Sequence, residues 1–436
     1  MRLNPGYYLF TIFANIVIIH NQVKMSSTPI INTDRLIKRI EQMGKIGAIP
    51  GGGVCRTALS DADKESRDQL KKWMEDINLE IEIDEIGNMF GIYAGSKDLP
   101  PIMFGSHLDT VTTGGLYDGS LGVLAGLELL ETLYDAGIIT DHPLILANFT
   151  NEEGVRFIPD MMGSLAFSKR ANIEALYKSQ SLDGSSVSVR DELKRIGYLG
   201  NHRCGNKEIG AFIELHIEQG PILESSNTDI GIVDKVQGLF WTEYIFKGKA
   251  SHAGTTPMSN RNDAGFAAFK VSSYLRKLVN ELGNSQVGTV GRIELFPNLI
   301  NVTAETATFV TDLRNPDNSQ LLECQDKLDS YIRKITEQEG LTLKRNELVR
   351  LEPLDFNKDI LKSVYRASES LGYSSMHITS GAGHDAQLIS TRFPAAMIFI
   401  PSKEGLSHNV NEYSSPSQIE KGANVLLNSV LNLASY

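Results

Sequence analysis

Four short apolar runs in this chain end abruptly in clusters of titratable residues, and that recurrence restricts the fold more than any other feature. PIMFG at 101–105 runs into SHLDT, PLILANF at 143–149 into TNEEG, AFIEL at 211–215 into HIEQG, and PAAMIFIP at 394–401 into SKEGLSHN. Short runs without polar alternation suit strands covered on both faces. Helical periodicity occupies 33–43, 61–77 behind Ser60 as a cap, and 121–133. Buried strands joined through helices predict an α/β sheet, and such sheets gather ligands at their strand ends.

A different rhythm begins near Val236. A strand at 239–246, a helix at 263–282, strands at 287–296 and 305–314, a helix at 319–338 and a strand at 342–351 read βαββαβ, the order of a split-βαβ, ferredoxin-like unit. The chain has 436 residues, more than the roughly 250–300 at which a single core stops growing. Two packed units are therefore expected: a catalytic one with a central mixed sheet from 25–235 and 352–436, and a smaller one, 236–351, inserted into it.

The net charge of −11 opposes binding to phosphate backbones, and no run of Lys and Arg interleaved with aromatics offsets it, so nucleic acid is not expected as a partner. Cys55, Cys204 and Cys324 are far apart and form no CxxC, which implies neither a disulfide framework nor a thiolate cluster. Residues 1–24 contain YYLFTIFANIVII at 7–19, the length of a signal-peptide core but short for a membrane span. No small-x-small cleavage site follows, and Met25 opens MSSTPIINTDRL as a cytosolic protein would start. The expectation is a cytoplasmic protein without a membrane partner; the alternatives are secretory targeting by 1–24 or a non-native start.

The polar clusters carry the chemistry. His107 and Asp109 share one face of an extended segment, which suits a metal-ligating imidazole held by a carboxylate, and equally suits a plain His–Asp hydrogen bond at a strand end. Asp118 in YDGSLG could bridge two cations, although the local pattern favours a helix cap. Glu152 and Glu153 are adjacent carboxylates, which repel unless a cation lies between them or one holds a proton. Glu153 then suits a ligand and Glu152 a general base that later protonates the leaving amine; a solvated acidic turn is the bland alternative. His216 in ELHIEQG and His408 in LSHNVNEY add two nitrogen donors. Either alone would more often be structural. Five donors at successive strand ends, imidazole and carboxylate without thiolate, suit Zn²⁺, Mn²⁺, Co²⁺ or Ni²⁺.

In this order, GSHLDT, YDG, NEEG, HIEQG and SHN resemble the di-metal aminoacylase-like metallopeptidases. His216, where the peptidases usually carry an acidic ligand, points to the amidase, hydantoinase and carbamoylase branch. RTALSDADKESRDQL, SHAGTTPM, PNLINVTAE and DLR agree with that branch, so the resemblance runs from Asn32 to the C-terminus. It implies two divalent cations per subunit, zinc first among the four metals. His107 and Glu153 would serve separate cations, Asp118 would bridge, His216 and His408 would complete the set, and Glu152 would be the base.

The resemblance also implies that His252 polarises the scissile carbonyl or stabilises its oxyanion, and that Asn301 and Arg314 hold a substrate carboxylate. Gln219 would line the substrate pocket, and GAGHD at 381–385 would be a substrate-side loop in which His384 has no assigned role. Without the resemblance, Arg314 reads as the ion-pair partner of Asp312 and His252 as a loop histidine. The inserted unit would be a lid that closes before chemistry and carries a homodimer contact. The implied reaction cleaves the ureido C–N bond of an N-carbamoyl amino acid or β-ureidopropionate to the amino acid, CO₂ and NH₃. Allantoate is the alternative substrate, and an N-acyl amino acid amidase or dipeptidase a more distant one. A non-catalytic binding protein on the same scaffold would be free to lose the base or a ligand, and this chain has lost none.

Overall fold

The computed structural model describes residues 29–283 and 285–435, so the apolar stretch at 7–19 and the start at Met25 lie outside the described residues. Helix α1 (Thr33–Met43) opens at Asn32, whose side chain accepts from the Arg35 N–H, and buries Leu36, Ile40 and Met43 at helical spacing. Helix α2 (Asp61–Asp76) is capped by Ser60, which accepts from the Asp63 N–H.

Strands β1 (Glu80–Ile83), β2 (Met89–Tyr93) and β3 (Ile102–His107) precede helix α3 (Ser120–Ala136), followed by β4 (Leu144–Phe149), β5 (Ala211–Ile217) and β6 (Ile230–Val236). The chain then builds β7 (Gly238–Lys247), α4 (Ala264–Leu282), β8 (Val287–Phe296), β9 (Thr306–Asn315), α5 (Asn318–Gln338) and β10 (Thr342–Leu351). It returns through β11 (Leu354–Asp355), α6 (Lys358–Ser370), β12 (Ser375–Ser380), β13 (Ala395–Ile400) and α7 (Pro416–Leu433).

The first sheet has nine strands in the order β1-β2-β4-β3-β5-β13-β6-β11, with β12 pairing on β6. Its centre, β4, β3, β5 and β13, is parallel throughout, and every residue of those four strands is buried. Parallel strands in register deliver their C-terminal ends to the same edge of the sheet. That edge therefore receives all four titratable clusters at once. Two strands run further than their apolar runs suggest: His107 pairs opposite Phe149 and His216 opposite Phe399, so both histidines belong to the ladders themselves. Strands β6 and β12 have no counterpart in the sequence reading; they pair in parallel with each other, and β6 runs antiparallel to β13, which with the antiparallel β1–β2 and β2–β4 pairs makes the sheet mixed.

The second sheet is antiparallel, in the order β10-β7-β9-β8. Burial alternates strictly along β7 and β9. One face packs Phe240, Tyr244, Phe246, Phe309 and Leu313 against α4 and α5, forming an apolar core separate from that of the large sheet. The other face of β7 carries Leu239 and Trp241, which turn toward the cavity described below. Strand β8 is a free edge with most of its residues exposed. Among the described residues no helix is long and apolar enough to cross a membrane.

Candidate metal centre

At the shared strand edge, His107 closes β3 and its Nδ1 lies 2.9 Å from the Asp109 carbonyl oxygen. On β5, His216 Nδ1 lies 2.8 Å from the Ile217 carbonyl oxygen. A carbonyl only accepts, so in the neutral rings both Nδ1 atoms carry the proton and the lone pairs lie on Nε2, that of His216 also accepting from the Gly119 N–H at 3.1 Å. Those lone pairs converge on Asp118: its Oδ1 is 3.2 Å from His216 Nε2 and 3.7 Å from His107 Nε2. The other carboxylate oxygen is 3.5 Å from His408 Nε2, which is in turn 3.2 Å from Glu153 Oε2.

Two donor triads result, His107–Asp118–His216 and Asp118–Glu153–His408, and Asp118 belongs to both. Helix capping does not account for Asp118, because Gly119 is the cap of α3 and no side chain bonds there. The Asp118 carboxylate instead accepts from Ser407 Oγ at 2.6 Å and Gln219 Nε2 at 2.8 Å, both far away in sequence.

The two neighbouring glutamates differ. Glu153 is tethered to His408 and accepts from the Val111 N–H at 3.3 Å. The Glu152 carboxylate has no hydrogen-bond donor among the described residues and faces the cavity 3.5 Å from His107 Nε2. Burial, followed by the charges of Asp385, Glu153, Asp109 and Asp118, drives the Glu152 carboxyl far above its usual range. Burial also acts on Asp118, but His216, His107 and His408 outweigh it and hold that carboxyl well below normal. His216 is pushed up to about 9 by Asp118 against the opposing effect of burial, and His408 to about 9 by its bond to Glu153. The Glu152 and Glu153 carboxyls are thus both driven up beside Asp118, the mark of a buried acid cluster whose members ionise together only beside added positive charge. Together with inward-facing lone pairs and a carboxylate shared by two triads, this fits two divalent cations.

Asp109 departs from the expected arrangement. Its carboxylate is 4.0 Å from His107 Nδ1, and its backbone carbonyl is what holds the ring. The carboxylate accepts instead from the Glu152 and Glu153 N–H groups, each at 3.2 Å, so it sets the loop that carries the base. Backbone strain marks the same surroundings: Asn151, Met161, Gln219 and His408 all have positive φ.

Arg314 lines the cavity opposite the donors, donates to the Gly381 carbonyl at 2.9 Å and pairs with Asp312 at 3.0 Å, so the ion pair and the cavity position coexist. His252 and Asn301 are not brought to the centre. They lie exposed on the β7–α4 and β8–β9 connections, where Ala253 N–H donates to the Asn301 carbonyl at 2.9 Å, and neither lines the cavity. Three lining or supporting residues had no role in the sequence reading. Glu214 is wholly buried, accepts from Ser106 Oγ at 2.6 Å and from Ala386 N–H at 2.8 Å, and lies beside His216. His384 packs edge-on to His216 with centroids 4.6 Å apart. Gln387 lines the cavity floor. Only Glu214 left a signal: it shares the His216 face by strand alternation.

A sequence profile of peptidase family M20/M25/M40 matches residues 103–432. The N-carbamoyl-L-amino-acid amidohydrolase of Rhizobium meliloti is 40% identical over 405 residues, 93% of this chain and 97% of that protein. The allantoate amidohydrolase of Bacillus subtilis is 33% identical over 402 residues, 91% and 96% of the two chains. A crystal structure of an amidase of the hydantoinase/carbamoylase family from Burkholderia multivorans superposes with a TM-score of 0.87 at 38% identity, covering 94% of this chain and all of the other.

Proposed function

Because the chain belongs to peptidase family M20/M25/M40, we propose that its strand-edge centre hydrolyses the ureido C–N bond of an N-carbamoyl-L-amino acid, giving the amino acid, CO₂ and NH₃. The observation that carries this reading is Asp118, shared by two donor triads beside an untethered, buried Glu152. His107, Asp118 and His216 would hold one cation, and Asp118, Glu153 and His408 the other. When bound, the cations supply Lewis-acid polarisation of the carbonyl and of the attacking water.

Glu152 takes the proton of the attacking water and delivers it to the leaving nitrogen, a role that its freedom from hydrogen bonds supports. Gln219 fixes the Asp118 carboxylate through Nε2. Arg314, on the opposite wall, receives the substrate carboxylate, for which its guanidinium must share or exchange Asp312. His252 and Asn301 complete the site by movement: closure of residues 236–351 over the edge, or arrival of the same loops from a second copy. A homodimer through this region is supported by the open edge of β8 and the exposed Phe266, Phe269, Phe296, Leu299 and Ile300 around it.

The test is ammonia release from N-carbamoyl-L-amino acids, N-carbamoyl-β-alanine and allantoate, with Zn²⁺, Mn²⁺, Co²⁺ and Ni²⁺ supplied in turn. N-carbamoyl-L-amino acids are expected to give the highest kcat/KM. A higher value for allantoate would move the substrate assignment, and no turnover of any ureide with any of the metals would overturn the reading.

A further inference from the structure

Gln387 is 4% exposed, sits in the short helix Asp385–Ile389 and lines the reaction cavity, yet its side-chain amide makes no hydrogen bond among the described residues. Its Oε1 lies beside Gly383, one wall of the cavity. A second amide shares this condition. Gln219 is pinned through Nε2 to Asp118 and Ser407, and its Oε1 is buried without a partner. Both residues line one cavity of about 250 Å³ beside the candidate base, and the Oε1 atom of each is buried without a partner. Buried acceptors are costly to leave unmade, so their shared position points to a ligand that brings donors.

The head groups of the competing substrate classes differ in donors. The ureido group of a carbamoyl substrate carries three N–H bonds, two of them on its terminal nitrogen, whereas the acylamino group of an N-acyl substrate carries one. We infer that Gln387 Oε1, together with Gln219 Oε1, accepts the N–H groups of the ureido head, and that Gln387 selects carbamoyl over acyl substrates. The inference rests on the proposed function and sharpens its specificity. A site built around such acceptors discriminates strongly against a ligand that leaves them unpaired.

The test compares kcat/KM for N-carbamoyl-L-methionine and N-formyl-L-methionine in the wild type and Gln387→Met, which keeps the length of the side chain and removes the acceptor. If the formyl compound is not hydrolysed, its inhibition constant replaces kcat/KM. The variant is expected to lose about 10- to 100-fold on the carbamoyl substrate and to stay within about threefold on the formyl one, so that the ratio collapses. Gln387→Glu, which keeps an acceptor at the same reach, is expected to retain more of the preference and serves if the Met variant does not fold. Equal loss on both substrates, or none on either, overturns the inference while ureide turnover by the wild type leaves the proposed function standing. Absence of ureide turnover in the wild type overturns both.

Discussion

The edge of the nine-stranded sheet and the loops of the four-stranded one differ in how finished they are. At the edge, His107, Asp118, Glu152 and His216 are all buried, with His107 3.5 Å from Glu152 and His216 3.2 Å from Asp118, and they lie on or just beyond parallel strands in register. On the smaller sheet Leu239, Trp241, Leu351 and Arg314 reach the cavity, but of the three residues assigned to the substrate only Arg314 does, while His252 and Asn301 stand exposed on connections. The groups that handle charge and protons are fixed by the fold of one core. The groups proposed to grip and orient the substrate would need a movement or a partner to join them. That division suits hydrolysis in water, because the whole site would assemble only around a bound substrate.

The comparison breaks most readily at Glu152. Glu152→Gln keeps size and removes the base, so kcat is expected to fall about 10³- to 10⁴-fold with bound metal, measured by elemental analysis, unchanged. Loss of metal would exchange the roles of Glu152 and Glu153, both of which line the cavity. The smaller sheet is tested at Arg314. Arg314→Ala is expected to raise KM for carboxylate substrates about 10- to 100-fold, the worth of a charged hydrogen bond, with a smaller change in kcat. A KM that does not move would leave the Asp312 ion pair as its whole role and would confine recognition to the larger sheet.

The contrast also explains what could be read from sequence. His107, His216 and the Glu152–Glu153 pair were legible because a buried strand that stops in titratable residues is a local pattern. The βαββαβ order from 238 to 351 was legible for the same reason, with its helices and strands separated by turn residues. Asp118 resisted because its partners, His216, Ser407 and Gln219, arrive from segments distant in the chain, while its neighbours read as a cap. Glu214 was hidden inside an apolar run. Gln387 belongs to no motif, and its significance lies only in being buried, unpartnered and in the cavity. Strands β6 and β12 lack the unbroken apolar stretch of the central four: Asp234 and Lys235 interrupt β6 before Val236, and β12 is only partly buried.

The finest distinction is whether the missing half of the site closes from the same chain or comes from another. Each His252→Ala and Glu152→Ala variant should be inactive by itself if, as proposed, one lacks the carbonyl-polarising group and the other the base. If His252 serves a neighbouring copy, mixing and re-equilibrating the two inactive proteins creates hybrid dimers in which one site has an intact Glu152 and an intact His252. Random exchange makes half the dimers hybrids and restores one of their two sites, so about a quarter of wild-type activity is expected. The exposure of His252 and the apolar surface beside β8 favour this outcome. If mixing restores nothing although light scattering shows hybrid-competent dimers, His252 acts within its own chain, and the unfinished region is a lid that closes on the edge directly below it.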